Sequence, residues 1–310
     1  MVKVKKNKLN DESVSYKIFT VINYIIMIFV IVVMLFPYLN VLAKALNDAN
    51  DTMLGGITIF PRKPTFGNFK LLLNDESIYR AFFVSVMRVL TGVVCGIVVQ
   101  FMTAYALSRP ELKHKKLFNV IFMIPMYISG GLIPSYILYS RLNLLDTFWV
   151  YILPVCFSFY NILIIKSYMS INIPVSLIEA SRLMGAKEGT IFFKIVLPLC
   201  SPIMATIALW IAVDAWNDWT STLYYVQKPA LYTLQYILMQ TIKESERIAA
   251  LVQAAAQKGE DVTKIQNSIT VTPDAMVSAQ VIVVTLPIIC VYPFLQKYFV
   301  QGVTLGAVKE

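Results

Sequence analysis

Charge is scarce in this chain. Of 310 residues only 15% are Asp, Glu, Lys or Arg, while 57% are hydrophobic. A soluble domain of this length carries about a quarter charged residues. With a mean hydropathy of +0.66, the composition makes a membrane protein the first expectation. Histidine is nearly absent: His114 stands alone in the basic run Lys113-His114-Lys115-Lys116. A Ser–His hydrolase within a membrane needs its base beside a nucleophile inside an apolar segment, and that base is lacking. Cys95, Cys156, Cys200 and Cys290 all fall in apolar runs without C-x-x-C spacing. They offer neither a zinc site nor a disulfide framework and read as small packing residues. No G-x-x-x-x-G-K-[ST] stretch occurs, so this chain has no loop of that kind to cradle ATP.

What is there is long apolar runs. A helix that crosses the hydrocarbon needs about 20 mostly apolar residues. Six segments qualify, at roughly 18–42, 81–107, 117–138, 148–169, 199–218 and 276–298. Pro154 and Pro202 lie in the fourth and fifth, which neighbouring helices can accommodate by satisfying the freed carbonyls. The expectation is an all-α polytopic membrane protein of six transmembrane helices. It has an N-terminal segment 1–17, a transmembrane domain 18–298 with an outer loop 219–275, and a tail 299–310. Ala43-Lys44-Ala45 resembles a signal-peptide cleavage site, but the apolar run before it is far longer than a signal core. The first helix is expected to stay.

The net charge of +9 does not form a polyanion-binding face, because the basic residues come in short clusters between apolar runs. They report topology instead. The N-terminus 1–17, the loop at 109–116, the segment 166–198 and the last residues from 297 hold fifteen lysines and arginines over 72 residues. The loops 44–80, 139–147 and 219–275 hold eleven over 103. By the positive-inside rule the denser set, with both termini, is cytoplasmic.

One cytoplasmic stretch is unusually polar: EASRLMGAKEGTIFFKIVLP, residues 179–198. Pro174 can start a helix and Gly185 can end it. Ile178, Arg182 and Leu183 are expected on one face with Glu179 beside them. A second helix is expected over about 187–197, with Ile191, Phe192, Ile195 and Val196 apolar, stopping at Pro198, which opens the fifth span. One side of this hairpin, 172–198, can pack on the bundle while a charged side faces out. Composition alone leaves it open whether this is more than a charged cytoplasmic hairpin.

The spacing resembles the EAA signature of the permease subunits of ABC importers: Glu179-Ala180-Ser181, then Gly185, then Ile195, Leu197 and Pro198. Ser181 replaces the signature's second alanine, and Met184 stands where sugar-importer relatives often carry Asp. AYALSRPELKHKK (104–116), WNDW (216–219) and YPFLQKYFVQGVTLGAVKE (292–310) also look like carbohydrate-uptake permeases. The last is most similar to the branch for complex oligosaccharides and polysaccharide fragments; maltose-type permeases are relatives too. The resemblance implies a type I ABC importer permease fold in a bacterial cell membrane. It also implies a second permease subunit, two ATPase subunits that hold the ATP and Mg, an extracytoplasmic solute-binding protein and a carbohydrate cargo, with no cofactor or metal on this chain. The hairpin would be the coupling helix. Glu179 would anchor to the ATPase, Ala180 and Ser181 would allow close approach, and Gly185 with Ala186 would make the turn. Ile195, Leu197 and Pro198 would join the hairpin to the fifth helix.

The cargo path is read from fewer residues. Trp216, Asn217, Asp218 and Trp219 cluster where the fifth span reaches the outer face, with Asp214 one turn below. Aromatic faces stack on sugars and Asn or Asp bonds hydroxyls, but tryptophans also mark the headgroup level; both readings stay open. Arg88, about two turns into the second span, is costly there and is expected to face the interior. Asp214 is its candidate partner, and snorkelling to the outer headgroups is the alternative. Residues 231–255 have the periodicity of an amphipathic helix lying on the membrane or on a partner. Two other classes fit less well. An ion-coupled secondary transporter predicts mid-membrane coupling carboxylates and gives no reason for the hairpin. An intramembrane enzyme needs paired catalytic groups that the spans do not show.

Overall fold

The computed structural model describes residues 14–257 and 273–307. Lys3, Lys5, Lys6 and Lys8, nearly all of the polar turn 257–264, and Lys309 lie outside them. Among the described residues there are helices and no strand. In order these are α1 (Val14–Ala45), α2 (Ala49–Met53), α3 (Gly67–Leu73), α4 (Glu76–Ser108), α5 (Lys115–Tyr127), α6 (Leu132–Arg141), α7 (Trp149–Cys156) and α8 (Phe159–Asn172). Then come α9 (Val175–Leu183), α10 (Glu188–Ile191), α11 (Leu197–Leu199), α12 (Ser201–Asn217), α13 (Thr220–Tyr225), α14 (Leu234–Gln257) and α15 (Pro273–Ala307).

α1, α4 and the stretch Asp274–Val291 of α15 are each long and apolar enough to cross a membrane unaided. Counting each bent helix pair as one span raises the number to six. The bends correct three expected spans. The third, 117–138, is no single helix: α5 and α6 meet at 117° across Ile128–Gly131, where Gly131 takes φ +86°. The fourth, 148–169, breaks by 43° between α7 and α8. Pro154 withholds an N–H from the turn before it, and Phe157 and Ser158 are extended. Ser158 then caps α8 by accepting from the Asn161 N–H. The fifth opens at Ser201, not at Pro198: the chain bends by 81° after Leu199. Pro202 stands in the first turn of α12, where its missing N–H leaves no bond unmade.

The chain divides into two compact units, one running to residue 71 together with 254–282, the other 72–253 with 283 onward. In the first, the apolar side chains of α1 are exposed until Ala43. Its polar knot is centred on buried Asn47, which donates to Asp51 and Thr52 and accepts from the Lys63 N–H. Arg62 bonds Asp51 at 3.0 Å.

In the second unit α4 is the central post, packed against α7, α8 and α12. Phe101 and Ala104 on α4 meet Ile162 and Ile165 on α8 and Ile207 and Ile211 on α12, all buried. Gly96 sets the approach of α4 to α12, since a Cβ there would lie 2.9 Å from Ile211 Cδ1. The break after α7 frees backbone carbonyls inside this packing. Gln100, buried on α4, donates its amide to the Val155 carbonyl at 3.0 Å, which meets the demand that every backbone group in such surroundings be paired.

Candidate functional site

The polar hairpin forms, with a different second arm. α9 starts after Pro174 and ends at Leu183, and Gly185 takes φ +82°. The Gly185 N–H bonds the Arg182 carbonyl at 2.9 Å and the Ala186 N–H bonds the Ser181 carbonyl at 3.1 Å. That pairing is the Schellman stop, which glycine adopts without a Cβ clash. The return arm is not one helix over 187–197. It is α10, a wider π turn at Phe192–Val196, and then α11. Pro198 has no N–H to give the turn before it, and Leu197 bonds the Phe192 carbonyl instead.

The hairpin has two faces. Ile178, Ile191, Phe192 and Val196 are buried in the core with α4 and α8, and Ile195, Leu197 and Ala186 are half-buried at its edge. Ser181 is 2% exposed and donates its hydroxyl to the Leu177 carbonyl at 2.7 Å. It lies inward, so the close approach its small side chain allows is made within the chain. Glu179, Ala180 and Pro198 are exposed. Leu183, expected on the face of Ile178, instead projects at 90% exposure beside Met184 at 82%.

Arg182, expected on the helix face with Ile178, is the hairpin's brace. Its Nη1 meets Glu111 at 2.6 Å and its Nε meets Glu188 at 2.7 Å. The Tyr105 hydroxyl donates to the other Glu188 oxygen at 2.7 Å, and the Arg109 guanidinium lies 4.1 Å over the Tyr105 ring. The Arg182 hydrogen bond holds the Glu111 carboxyl below its usual range. The Tyr105 hydroxyl, and then Arg182, do the same for Glu188. The stretch Ala104-Tyr105-Ala106-Leu107-Ser108-Arg109-Pro110-Glu111 therefore pins the hairpin to the end of α4. Sequence reasoning noted both motifs without joining them.

The candidate path residues separate. Arg88 is 2% exposed, so it does not snorkel. Its partner is Asp218, not Asp214: one guanidinium nitrogen pairs with the Asp218 carboxylate and the other donates to the Asp218 carbonyl at 2.9 Å. The guanidinium also lies 4.5 Å from the centre of the Tyr151 ring. Asp214 is exposed on α12, whereas Asp218 follows the last residue of that helix in an extended conformation, and the turn of the chain there brings its carboxylate to Arg88. The second oxygen of Asp218 accepts from the Thr220 and Ser221 N–H groups at 2.9 and 3.1 Å, starting α13. Trp216 is buried edge-on to Phe82 and donates its indole N–H to the Val284 carbonyl at 3.1 Å. Trp219 lies under Lys243, whose ammonium is 5.3 Å from the ring centre. Asn217 is exposed and bonds back to the Val213 carbonyl of its own helix.

Asp214 lines a cavity of about 620 Å³ between the α7–α8 break and α12, with Ser158, Tyr160, Asn161 and Trp210 among its walls. None of these four was singled out from sequence. Phe157-Ser158-Phe159, a capping serine within an apolar run, was the signal available for the break that opens the cavity. Among the described residues no cluster of His, Cys, Asp or Glu could hold a metal ion.

The sequence profile described as the binding-protein-dependent transport system inner membrane component matches residues 81–305. Protein LplC of Bacillus subtilis (strain 168) is 32% identical over 294 residues, covering 94% of this chain and 95% of its own. The polygalacturonan/rhamnogalacturonan transport system permease protein YtcP of the same organism is 28% identical, covering 94% and 99%. A solved chain of a bacterial ABC transporter involved in the import of the acidic polysaccharide alginate superposes with a TM-score of 0.81. It is 24% identical and covers 93% of this chain and 99% of its own, a likeness of fold.

Proposed function

This chain belongs to the family of inner membrane components of binding-protein-dependent transport systems, and from that premise we propose that it is the permease subunit of an ATP-driven importer of an oligosaccharide. The carbohydrate class is supported by the named cargo of its relative YtcP and by the arabinooligosaccharides and galactooligosaccharides named for AraQ and GanQ. The cargo moves by alternating access through six spans whose termini both face the cytoplasm. A second permease completes the pathway, and an extracytoplasmic binding protein delivers the oligosaccharide. ATP and Mg belong to two separate ATPase chains. This chain binds no cofactor of its own.

The observation that carries the coupling role is the build of the hairpin. Its inner face is held by the core and by the Arg182 brace, while Glu179, Ala180, Leu183 and Met184 at its tip face away from the chain. An exposed Leu-Met pair beside a charged residue suits insertion into a cleft of another protein. A tip rigidly tied to α4 transmits the movement of that protein to the bundle as a lever. Glu179 supplies the charged anchor, Gly185 and Ala186 the turn, and Ile195, Leu197 and Pro198 the link to α12. Ser181 acts from inside, by packing.

The test is purification of the tagged chain from its own membranes, wild type beside Glu179→Arg and Met184→Glu, with mass spectrometry of what accompanies it. A second permease and a P-loop ATPase are expected with wild type. The variants are expected to keep the permease and lose most of the ATPase. If the ATPase stays with both variants, the hairpin is not the coupling element. Uptake that runs on an ion gradient without ATP would instead make the chain a secondary transporter.

A further inference from the structure

Two lysines at one end of the bundle lack the counter-charge that their surroundings call for. Lys115 opens α5, just before the third apolar run, and Lys166 lies on α8, just inside the end of the fourth. Both are half-buried. The Lys166 ammonium donates to Asn119 Oδ1 at 3.0 Å, and the Asn119 amide donates to the Lys115 carbonyl at 2.7 Å. One asparagine thus joins the two lysines across α5 and α8, and their charges stand close enough to repel one another. The Lys115 ammonium reaches only the Ser108 and Arg109 carbonyls at the end of α4, at 3.3 and 3.4 Å. Among the described residues no carboxylate pairs with either lysine. Glu111 and Glu188, at the same end of the bundle, are committed to Arg182. Two like charges held together and partly out of water are costly unless an anion sits between them. Beside the pair, Leu117, Phe118, Val120 and Ile121 of α5 are exposed, an apolar surface that begins where the cations end.

We propose that Lys115 and Lys166 form a headgroup site for an anionic phospholipid of the leaflet at this end of the bundle. The lipid phosphate accepts from both ammonium groups and supplies the missing negative charge through charge-assisted hydrogen bonds. Asn119 keeps Lys166 turned toward Lys115, where a lysine left to itself extends to water. The acyl chains lie on the exposed side chains of α5. Basic pockets between membrane helices take anionic headgroups on the same principle. A free phosphate satisfies the charges but leaves the apolar surface beside them uncovered, so the lipid is the complementary ligand. A zwitterionic headgroup brings a third cation to a place where two already stand, and is disfavoured.

The experiment places the whole transporter in vesicles containing phosphatidylglycerol or phosphatidylcholine with a photoreactive group near the start of one acyl chain. Labelled peptides are mapped by mass spectrometry, and the exposed apolar side chains of α1 are the internal reference. Wild type is compared with Lys166→Arg and with Lys115→Gln combined with Lys166→Gln, each first shown to copurify with its partner chains. At residues 114–121 and 163–171 of wild type, phosphatidylglycerol is expected to label about tenfold more than phosphatidylcholine. Along α1 the two lipids should label equally. The double glutamine variant should lose most of the preference, and Lys166→Arg, which keeps the charge, should retain it. Excess inorganic phosphate should leave the labelling unchanged. Equal labelling of the wild-type site by the two lipids, or a preference that survives the double variant, overturns the proposal. Suppression by inorganic phosphate overturns it in favour of a soluble anion. A wild-type site that neither lipid labels is covered by a partner chain, and the proposal falls.

Discussion

A guanidinium at 2% exposure within an apolar helix has to be neutralised by a fixed partner, and the manner of fixing decides what its removal does. Asp218 is 24% exposed at its side chain and keeps the Thr220 and Ser221 N–H groups as donors when Arg88 is gone. Arg88 has no such reserve once Asp218 loses its charge: the carbonyl of residue 218 and the Tyr151 ring remain, and its Nε has no partner. Asp218→Asn is therefore expected to destabilise the purified complex more than Arg88→Met, within the roughly 3–5 kcal/mol range for breaking a buried pair. The double variant should recover most of the loss, and Asp214→Asn should leave the unfolding midpoint unchanged. Equal losses for Asp214→Asn and Asp218→Asn in a thermal melt would contradict this pairing. Sequence identified Arg88 as a costly buried charge, because hydropathy marks a lone arginine in a span. It did not identify the partner, 130 residues away, because Asp214 and Asp218 are the same residue type one turn apart, and both lie near the outer end of the fifth span. What separates them is the chain's turn at the end of α12, a tertiary feature.

At the scale of elements, hydropathy located the apolar runs and missed that three of them bend. It measures whether a segment belongs in lipid and carries no information on whether the helix continues. Pro154 and Pro202 were visible as tolerable exceptions; what a proline does there depends on which neighbouring group answers the freed carbonyl. The amphipathic stretch 231–255 appears as α14, where Leu234 and Leu238 are buried while Leu251 is exposed, so periodicity marked a helix face without saying where burial stops. The hairpin's turn was legible because a positive-φ glycine is local chemistry; its inward serine was not, because facing is set by the core. Gln100 tests the account of the break. Gln100→Leu fits the space but leaves the Val155 carbonyl unanswered, at about 1–3 kcal/mol. Hydrogen exchange in the purified complex should show faster exchange through residues 155–161, with α12 little changed. Exchange identical to wild type would mean that the break holds itself open without α4.

Within the 72–253 unit the pieces form one mechanical series. The tip at Glu179–Gly185 is tied by Arg182 to Glu111 and Glu188, and through Tyr105 to the end of α4. α4 in turn packs on α12 and holds the α7–α8 break through Gln100. A push on the tip therefore reaches the cavity at Asp214 through packed helices. Cutting the first link should separate hydrolysis from transport. Arg182→Gln leaves the exposed tip residues in place, so the ATPase should still copurify and turn over. Uptake per ATP hydrolysed should fall several-fold, because the hairpin can tilt without carrying α4. The same brace fixes the direction of a pH effect. The Glu111 and Glu188 carboxyls lie below their ordinary value in the folded chain. Their contribution is therefore complete above the unfolded carboxylate range, about pH 4.3, and fades as the pH falls through the lower folded values. The stability difference between wild type and Arg182→Gln should be constant from neutral pH to about 5 and shrink below about 4. An uptake-to-hydrolysis ratio unchanged by Arg182→Gln would show that force enters the bundle through the buried face of Ile178, Phe192 and Val196 alone, with the brace serving only to fold the hairpin.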